Sequence, residues 1–221
     1  MTAVLRRLFL VATPLALAVA LWWHPAGGSD IYEDVRGDVG AWLFVHTTFL
    51  FFTPLLGIAT YMLLRGVESS AATVSRVALV FFLVFYTAYE VTVGIGTAIL
   101  VDYANGLPAA DQAAVAGAIQ DYNENWIVSD PSVSFVLGGL GWIVAMLAAA
   151  VAFRRAGAGW PVTVLVGFAA LFAIHPPPVG PVGLACFAAA AVLIERARAR
   201  RAKAVAASTP HAGVAPAGTA L

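Results

Sequence analysis

The chain has 221 residues, 61% of them hydrophobic and 11% charged, with a formal net charge of zero. Soluble domains carry about 25% charged residues, so this composition excludes an ordinary water-soluble domain, and the lack of a basic excess excludes a nucleic-acid binder. The single cysteine, Cys186, excludes an intrachain disulfide and any cysteine-based metal motif.

Several apolar runs are long enough to cross a bilayer as helices. The first span is expected over about residues 8–24, behind Arg6 and Arg7. Its basic start, short apolar core and Ala18-Val19-Ala20 also fit a cleavable signal, but Trp22-Trp23 favours an interfacial anchor on a retained helix. Residues 25–39 read as an acidic loop. The second span, about 40–64, holds His46 and Pro54, and the third, about 77–101, holds Glu90. Residues 102–132 carry Asp102, Asp111, Asp121, Glu124 and Asp130 and neither Lys nor Arg.

The fourth span, about 133–153, ends at Arg154-Arg155. The fifth, about 160–175, places Pro161 in its first turn and stops at Pro176-Pro177-Pro178. The sixth, about 181–194, meets Glu195 and the basic cluster Arg196, Arg198, Arg200, Arg201 and Lys203. Sixteen residues rise about 24 Å against a hydrocarbon core of about 30 Å, so the last two spans are expected as a tight hairpin. Residues 204–221 are small and polar and are expected to be a disordered cytoplasmic tail.

Six spans put eleven of the twelve Lys and Arg residues on one side, all but Arg36, and nine of the twelve acids on the other. The positive-inside bias then predicts both termini in the cytoplasm. The expected fold class is all-α, a polytopic bundle of six transmembrane helices. One outer amphipathic helix is added over about 107–127, where Val115, Ile119, Tyr122 and Trp126 recur at spacings of four, three and four. That segment reads either as an interfacial connector or as a lid over an outward-facing site.

Glu90 is the only acid deep inside an apolar run. A carboxylate at the bilayer centre costs about 3 kcal/mol or more, so it must be paired, protonated or facing water, and it marks a functional site. Tyr86, Glu90, Gly94 and Thr97 share one face of the third span, as do His46, Thr53 and Gly57 on the second. With Ser134, Gly138 and Gly141 on the fourth they predict a polar, closely packed seam. Counted from the outer ends, His46 lies about 9 Å deep and Glu90 about 16 Å, an offset of about one turn that leaves their contact open. His24 and His175 cap the outer ends of the first and fifth spans. With His46 and Glu90 they supply enough donors for a divalent metal or for an axial pair to haem.

Two resemblances follow from particular residues. Thr92-Val93-Gly94-Ile95-Gly96 resembles the potassium-channel filter Thr-Val-Gly-Tyr-Gly, with Ile in place of Tyr. In that family the filter follows a re-entrant helix. Here a re-entrant 77–97 would move the acidic residues 102–132 to the cytoplasmic side, so the glycines are read as packing residues. The pattern as a whole, with Tyr-Thr-Ala-Tyr-Glu at 86–90 and His-Pro-Pro-Pro-Val-Gly-Pro at 175–181, resembles six-helix membrane proteins of actinobacteria. That likeness implies a fold, with no activity and no assigned site residues; the bacterial reading, and with it an inner-membrane location, comes from the use of Arg over Lys and the richness in Ala.

Three functions are compatible with these residues. The first is a proton-linked transporter or permease for a small solute, with Glu90 as the protonatable centre and His46, Tyr86 and Thr92 along the path. The second is a membrane-embedded metal- or haem-dependent enzyme opening to the outer face through His24, His46, His175 and Glu90. The third is a non-catalytic membrane subunit or assembly factor, whose seam only holds helices together and whose partner is another membrane protein or a second copy of the chain.

Overall fold

The computed structural model describes residues 2–25, 28, 30–128 and 132–208. Among these residues every regular element is helical. Side-chain caps start the long helices: Thr2, Asp38, Ser69 and Ser132 each accept the amide three residues on, at 3.0–3.3 Å. The elements are α1 (Ala3–Ala20, continued by a 3-10 turn to Trp23), α2 (Ile31–Arg36) and α3 (Val39–Leu63). Next come α4 (Ser70–Asn105), α5 (Ala109–Glu124) and α6 (Val133–Arg155). The last are α7 (Trp160–Phe168, continued by a 3-10 segment to Ala173) and α8 (Val179–Ser208).

Five of these rods are long and apolar enough to cross a membrane: Ala3–Trp23, Val39–Leu63, Ser70–Asn105, Val133–Arg155 and Val179–Ser208. The sixth apolar rod, Trp160–Ala173, is shorter. Their outward faces expose Leu8, Leu15, Phe44, Phe51, Ile58, Val80, Leu140 and Leu147, a surface suited to lipid and not to water. The chain is a helical membrane bundle.

Several boundaries differ from the sequence expectation. The acidic loop contains α2, capped by Asp30, whose side chain accepts from the Glu33 amide at 3.1 Å; the helix is too short to leave a periodic signal. The third rod starts at Ser70 and runs to Asn105, because Ser69 caps it earlier than the charged residues suggest. The expected tail begins as helix: α8 continues to Ser208, since Ala, Arg and Lys are strong helix formers that need no apolar partner. Residues 209–221 of that tail lie outside the described residues. α5 ends at Glu124, where Asn125 turns extended, so Trp126 leaves the expected apolar face and is exposed.

Small residues set the central contacts, as the seam predicts. A Cβ on Gly138 would lie 2.5 Å from the Tyr86 amide nitrogen, and one on Gly141 would lie 2.6 Å from that of Phe82. α6 therefore packs backbone to backbone against α4. The contact falls on the first of two π-helical stretches in α4, Phe82–Tyr86 and Glu90–Gly96.

The end of the bundle bearing the N-terminus is tied by charge. Glu195 on α8 is buried and bonds Arg6 of α1 and Arg198 of its own helix. Arg198 also donates to the carbonyls of Leu63 and Arg65, at 2.6 and 2.9 Å. The start of α1, the end of α3 and the basic half of α8 thus share one end. Glu195→Ala takes the carboxylate from Arg6 and one of three acceptors from Arg198, and a loss of about 2 kcal/mol is expected, less than for a fully buried pair because Arg6 is partly exposed. Thermal unfolding in detergent checks this; an unchanged midpoint would show the network to be ornamental.

Candidate functional site

The opposite end holds a cavity of about 620 Å³. Its floor is lined by His24, His46, His175, Trp42 and Tyr89, and its mouth by Asp34 on α2 and by Gln120, Asn123 and Glu124 on α5. α5 is fixed to the bundle by Ile119, which packs with Trp42, Ala98 and Val101. Further anchors are Tyr122, whose hydroxyl donates to the Thr92 carbonyl at 3.0 Å, and Asn123, which accepts from the Thr97 hydroxyl at 3.0 Å. The amphipathic helix is therefore a wall of the cavity.

Behind the floor, Glu90 is fully buried, and so are Tyr86 and Thr97 on the same face of α4. His46 Nδ1 lies 2.7 Å from Glu90 Oε2, which closes the contact that counting along the helices left about one turn apart. The second π stretch contributes to this, because it packs more residues into each turn than an α-helix and so shortens the rise from Glu90 to the outer end. Two side chains hold that stretch: the Trp42 indole donates to the Gly94 carbonyl at 2.8 Å, one turn before His46, while Tyr122 takes the Thr92 carbonyl. Gly94 is obligatory here, because a Cβ on it would stand 2.3 Å from His46 Cγ.

His175 follows the 3-10 segment after α7 and is buried. Its Nδ1 lies 2.9 Å from the Tyr86 hydroxyl and 4.0 Å from Glu90 Oε1, and its Nε2 is 3.2 Å from His24 Nε2. The Tyr86 hydroxyl also faces the Glu90 carboxyl. The structure thus gathers His24, His46, His175, Glu90 and Tyr86 into one cluster. Thr92 stands outside it: its hydroxyl bonds back to the Ala88 and Tyr89 carbonyls of its own helix. Thr53 is buried on α3 with its hydroxyl unpartnered. Trp42 and Tyr89 were not singled out by the sequence reading, although Trp42 sits four residues before His46 and so on its face.

Donor counting assigns the hydrogens. Burial first, and then the neighbouring His46, push the His24 pKa below the usual histidine range, so this ring is neutral at pH 7. Its Nδ1 is 2.7 Å from the Pro25 carbonyl, which can only accept. The hydrogen is therefore on Nδ1, and Nε2 is a bare acceptor. Between neutral rings the His24–His175 contact is a hydrogen bond only if His175 carries its hydrogen on Nε2. His175 Nδ1 then accepts from Tyr86. A wire results, from the Tyr86 hydroxyl through His175 to His24 at the cavity. Two buried atoms beside it have no hydrogen-bond partner, His46 Nε2 and Glu90 Oε1.

Aromatic rings close the cluster on the far side. Phe49 packs against His175 and Phe172, with ring centroids 5.1 and 5.9 Å away, and Trp142 packs against Phe82 and Phe172 at 4.7 and 5.4 Å. The Trp142 indole donates to the Ala169 carbonyl at 2.8 Å and so fixes the 3-10 segment that carries His175. As the rings lie, no group of three or more His, Cys, Asp or Glu among the described residues is arranged to hold a metal ion. The 3.2 Å between the His24 and His175 Nε2 atoms is shorter than the about 4 Å that separates two donors on opposite sides of one haem iron. No family model matches the chain, and comparison with curated proteins and with solved structures gives no match either.

Proposed function

We propose that this protein is a proton-linked permease for a small solute, with the cavity as its outward-facing binding site. The observation that carries the reading is the buried, incompletely bonded His46–Glu90 pair directly behind the floor of a cavity large enough for a small molecule. A hydrogen-bonding deficit of this kind costs about 1–3 kcal/mol per buried group. It is tolerable where the group gains and loses a proton or a ligand during its work. The imidazole wire gives the proton a route between cavity and cluster, and the Phe49–Phe172–Trp142 stack is the barrier that must part for passage to the other side.

In this reading the chain makes six passes, with the shorter Trp160–Ala173 rod as the fifth. The Lys and Arg bias places both termini in the cytoplasm of a bacterial cell, with the cavity facing out. Asp34 and Glu124 then give the mouth a negative field that favours cationic or polar solutes over anions.

The test is reconstitution in liposomes containing a pH-sensitive dye, challenged with outward-side gradients of amino acids, sugars, amines and metal cations. A solute-dependent proton flux is expected for one class. Absence of proton movement with every class, from protein shown to be folded, would leave a membrane subunit as the better account. The metal-enzyme reading keeps one observation of its own, the proximity of three imidazoles, whose ring centroids lie 5.0–6.2 Å apart.

A further inference from the structure

We propose that His24, His46 and His175 form a binding site for a divalent transition-metal cation, and that such a cation is the solute the cavity takes. The second half rests on the permease reading, whereas the site itself stands on geometry.

Three features of the cluster point to a metal. The first is spacing. His24 Nε2 and His175 Nε2 are 3.2 Å apart, and two nitrogens bound to one tetrahedral ion at 2.0–2.1 Å would be about 3.3 Å apart. The second is the way each ring is held by its other nitrogen. His24 Nδ1 is fixed by the Pro25 carbonyl, His175 Nδ1 by the Tyr86 hydroxyl and His46 Nδ1 by the Glu90 carboxyl. Anchoring of the far nitrogen by a carbonyl, hydroxyl or carboxylate is the outer-shell pattern of metal-bound histidines. The third is the unpartnered Nε2 of His46, on a residue only 2% exposed.

The ring centroids of His24–His175, His24–His46 and His46–His175 are 5.0, 5.2 and 6.2 Å apart. His24 stands between the other two, about 5 Å from each, and His46–His175 is the wide pair that a shared ion would have to draw together. A cation seated between His24 and His175 would draw the His46 ring in, and the fourth position would face the cavity.

Binding changes no hydrogen count. His175 moves its hydrogen from Nε2 to Nδ1 and donates it to the Tyr86 oxygen. Tyr86 then turns its own hydrogen toward Glu90 Oε1, the oxygen that otherwise makes no hydrogen bond. All three Nε2 atoms are then bare. The Glu90 carboxylate offsets part of the ion's charge through His46, and Asp34 and Glu124 at the mouth attract it. An all-imidazole set selects Zn²⁺, Co²⁺, Ni²⁺ or Cu²⁺ over Mg²⁺ and Ca²⁺, which require oxygen ligands.

The experiment is titration of metal-stripped, tag-free protein in detergent with Co²⁺, read by its visible ligand-field bands, followed by displacement with Zn²⁺. One Co²⁺ per chain is expected, displaced by Zn²⁺ and not by Mg²⁺. His24→Ala, His46→Ala and His175→Ala should each weaken binding more than tenfold, and Glu90→Gln, which alters only the outer shell, by about 10- to 100-fold. His24→Gln, at the half-buried member of the three, provides a ligand variant that keeps the fold if the alanine variants do not. Absence of bands, or binding that survives both His24→Gln and His175→Ala, overturns the site. Stoichiometric Co²⁺ without metal-driven proton flux in liposomes keeps the site and overturns the cation as the transported solute; absence of flux with every solute class overturns the permease as well. Proton flux driven by another solute, with no Co²⁺ bound, does the reverse.

Discussion

Glu90→Gln is expected to abolish solute-driven proton flux, by about 100-fold or more, while the protein still folds. Glutamine matches the shape of glutamic acid but cannot carry a transferable proton, and loss of an acid–base group costs about 10²–10⁴-fold where proton transfer is obligatory. In the variant His46 Nδ1 can still donate, to the amide oxygen. The amide nitrogen then brings hydrogens into a fully buried site where the carboxyl oxygen Oε1 had no hydrogen-bond partner. A stability cost of about 1–3 kcal/mol is therefore expected alongside the functional one. Glu90→Asp separates the two effects. It keeps the proton but withdraws the carboxyl from His46 by one methylene, so partial flux is expected. Folded Glu90→Gln protein with full flux would remove Glu90 from the mechanism and reduce the cluster to a packing device.

The second large effect is structural. Gly94→Ala should lower stability by about 1–3 kcal/mol and separate His46 from Glu90. Alanine is normally about 1 kcal/mol better than glycine within a helix. Here the added methyl would sit 2.3 Å from Cγ and 2.6 Å from Cβ of His46, atoms close to the backbone of α3 that cannot swing aside. Either α3 moves out or the π stretch changes register, and overpacking of this kind costs more than the helix gains. Gly117→Ala is the control: it lies exposed in α5 with nothing within 4 Å of the added carbon, and it should stabilise. Denaturation midpoints that shift the same way for both variants would refute the close approach of α3 and α4. Because the Trp42 indole bonds the Gly94 carbonyl, a displaced α3 should also change tryptophan fluorescence.

These two variants mark the boundary between what was legible and what was not. Glu90 could be singled out at once, because lipid makes any deep carboxylate conspicuous, and its companions Tyr86, Gly94 and Thr97 followed from helical spacing; all are buried together. Gly138 and Gly141 likewise announced a close helix contact and make one. His24 and His175 were visible only as isolated histidines at helix ends, 151 residues apart in sequence, although their rings touch. Thr92, expected along the path with His46 and Tyr86, bonds back onto its own helix.

The sequence by itself determined that the chain is a helical membrane bundle, roughly where its apolar rods lie, and that its one deep carboxylate is the residue to explain. Lipid enforces those features locally, through the apolar content and length of each run, so they can be read one segment at a time. Only the tertiary structure decided that His46 meets Glu90, that three imidazoles share a floor, and that α2 and α5 wall the cavity above them. Those contacts depend on helix stagger, on the π stretches of α4 and on the turn that delivers His175. Each of these is set by packing between segments far apart in the chain, where no local periodicity carries the information.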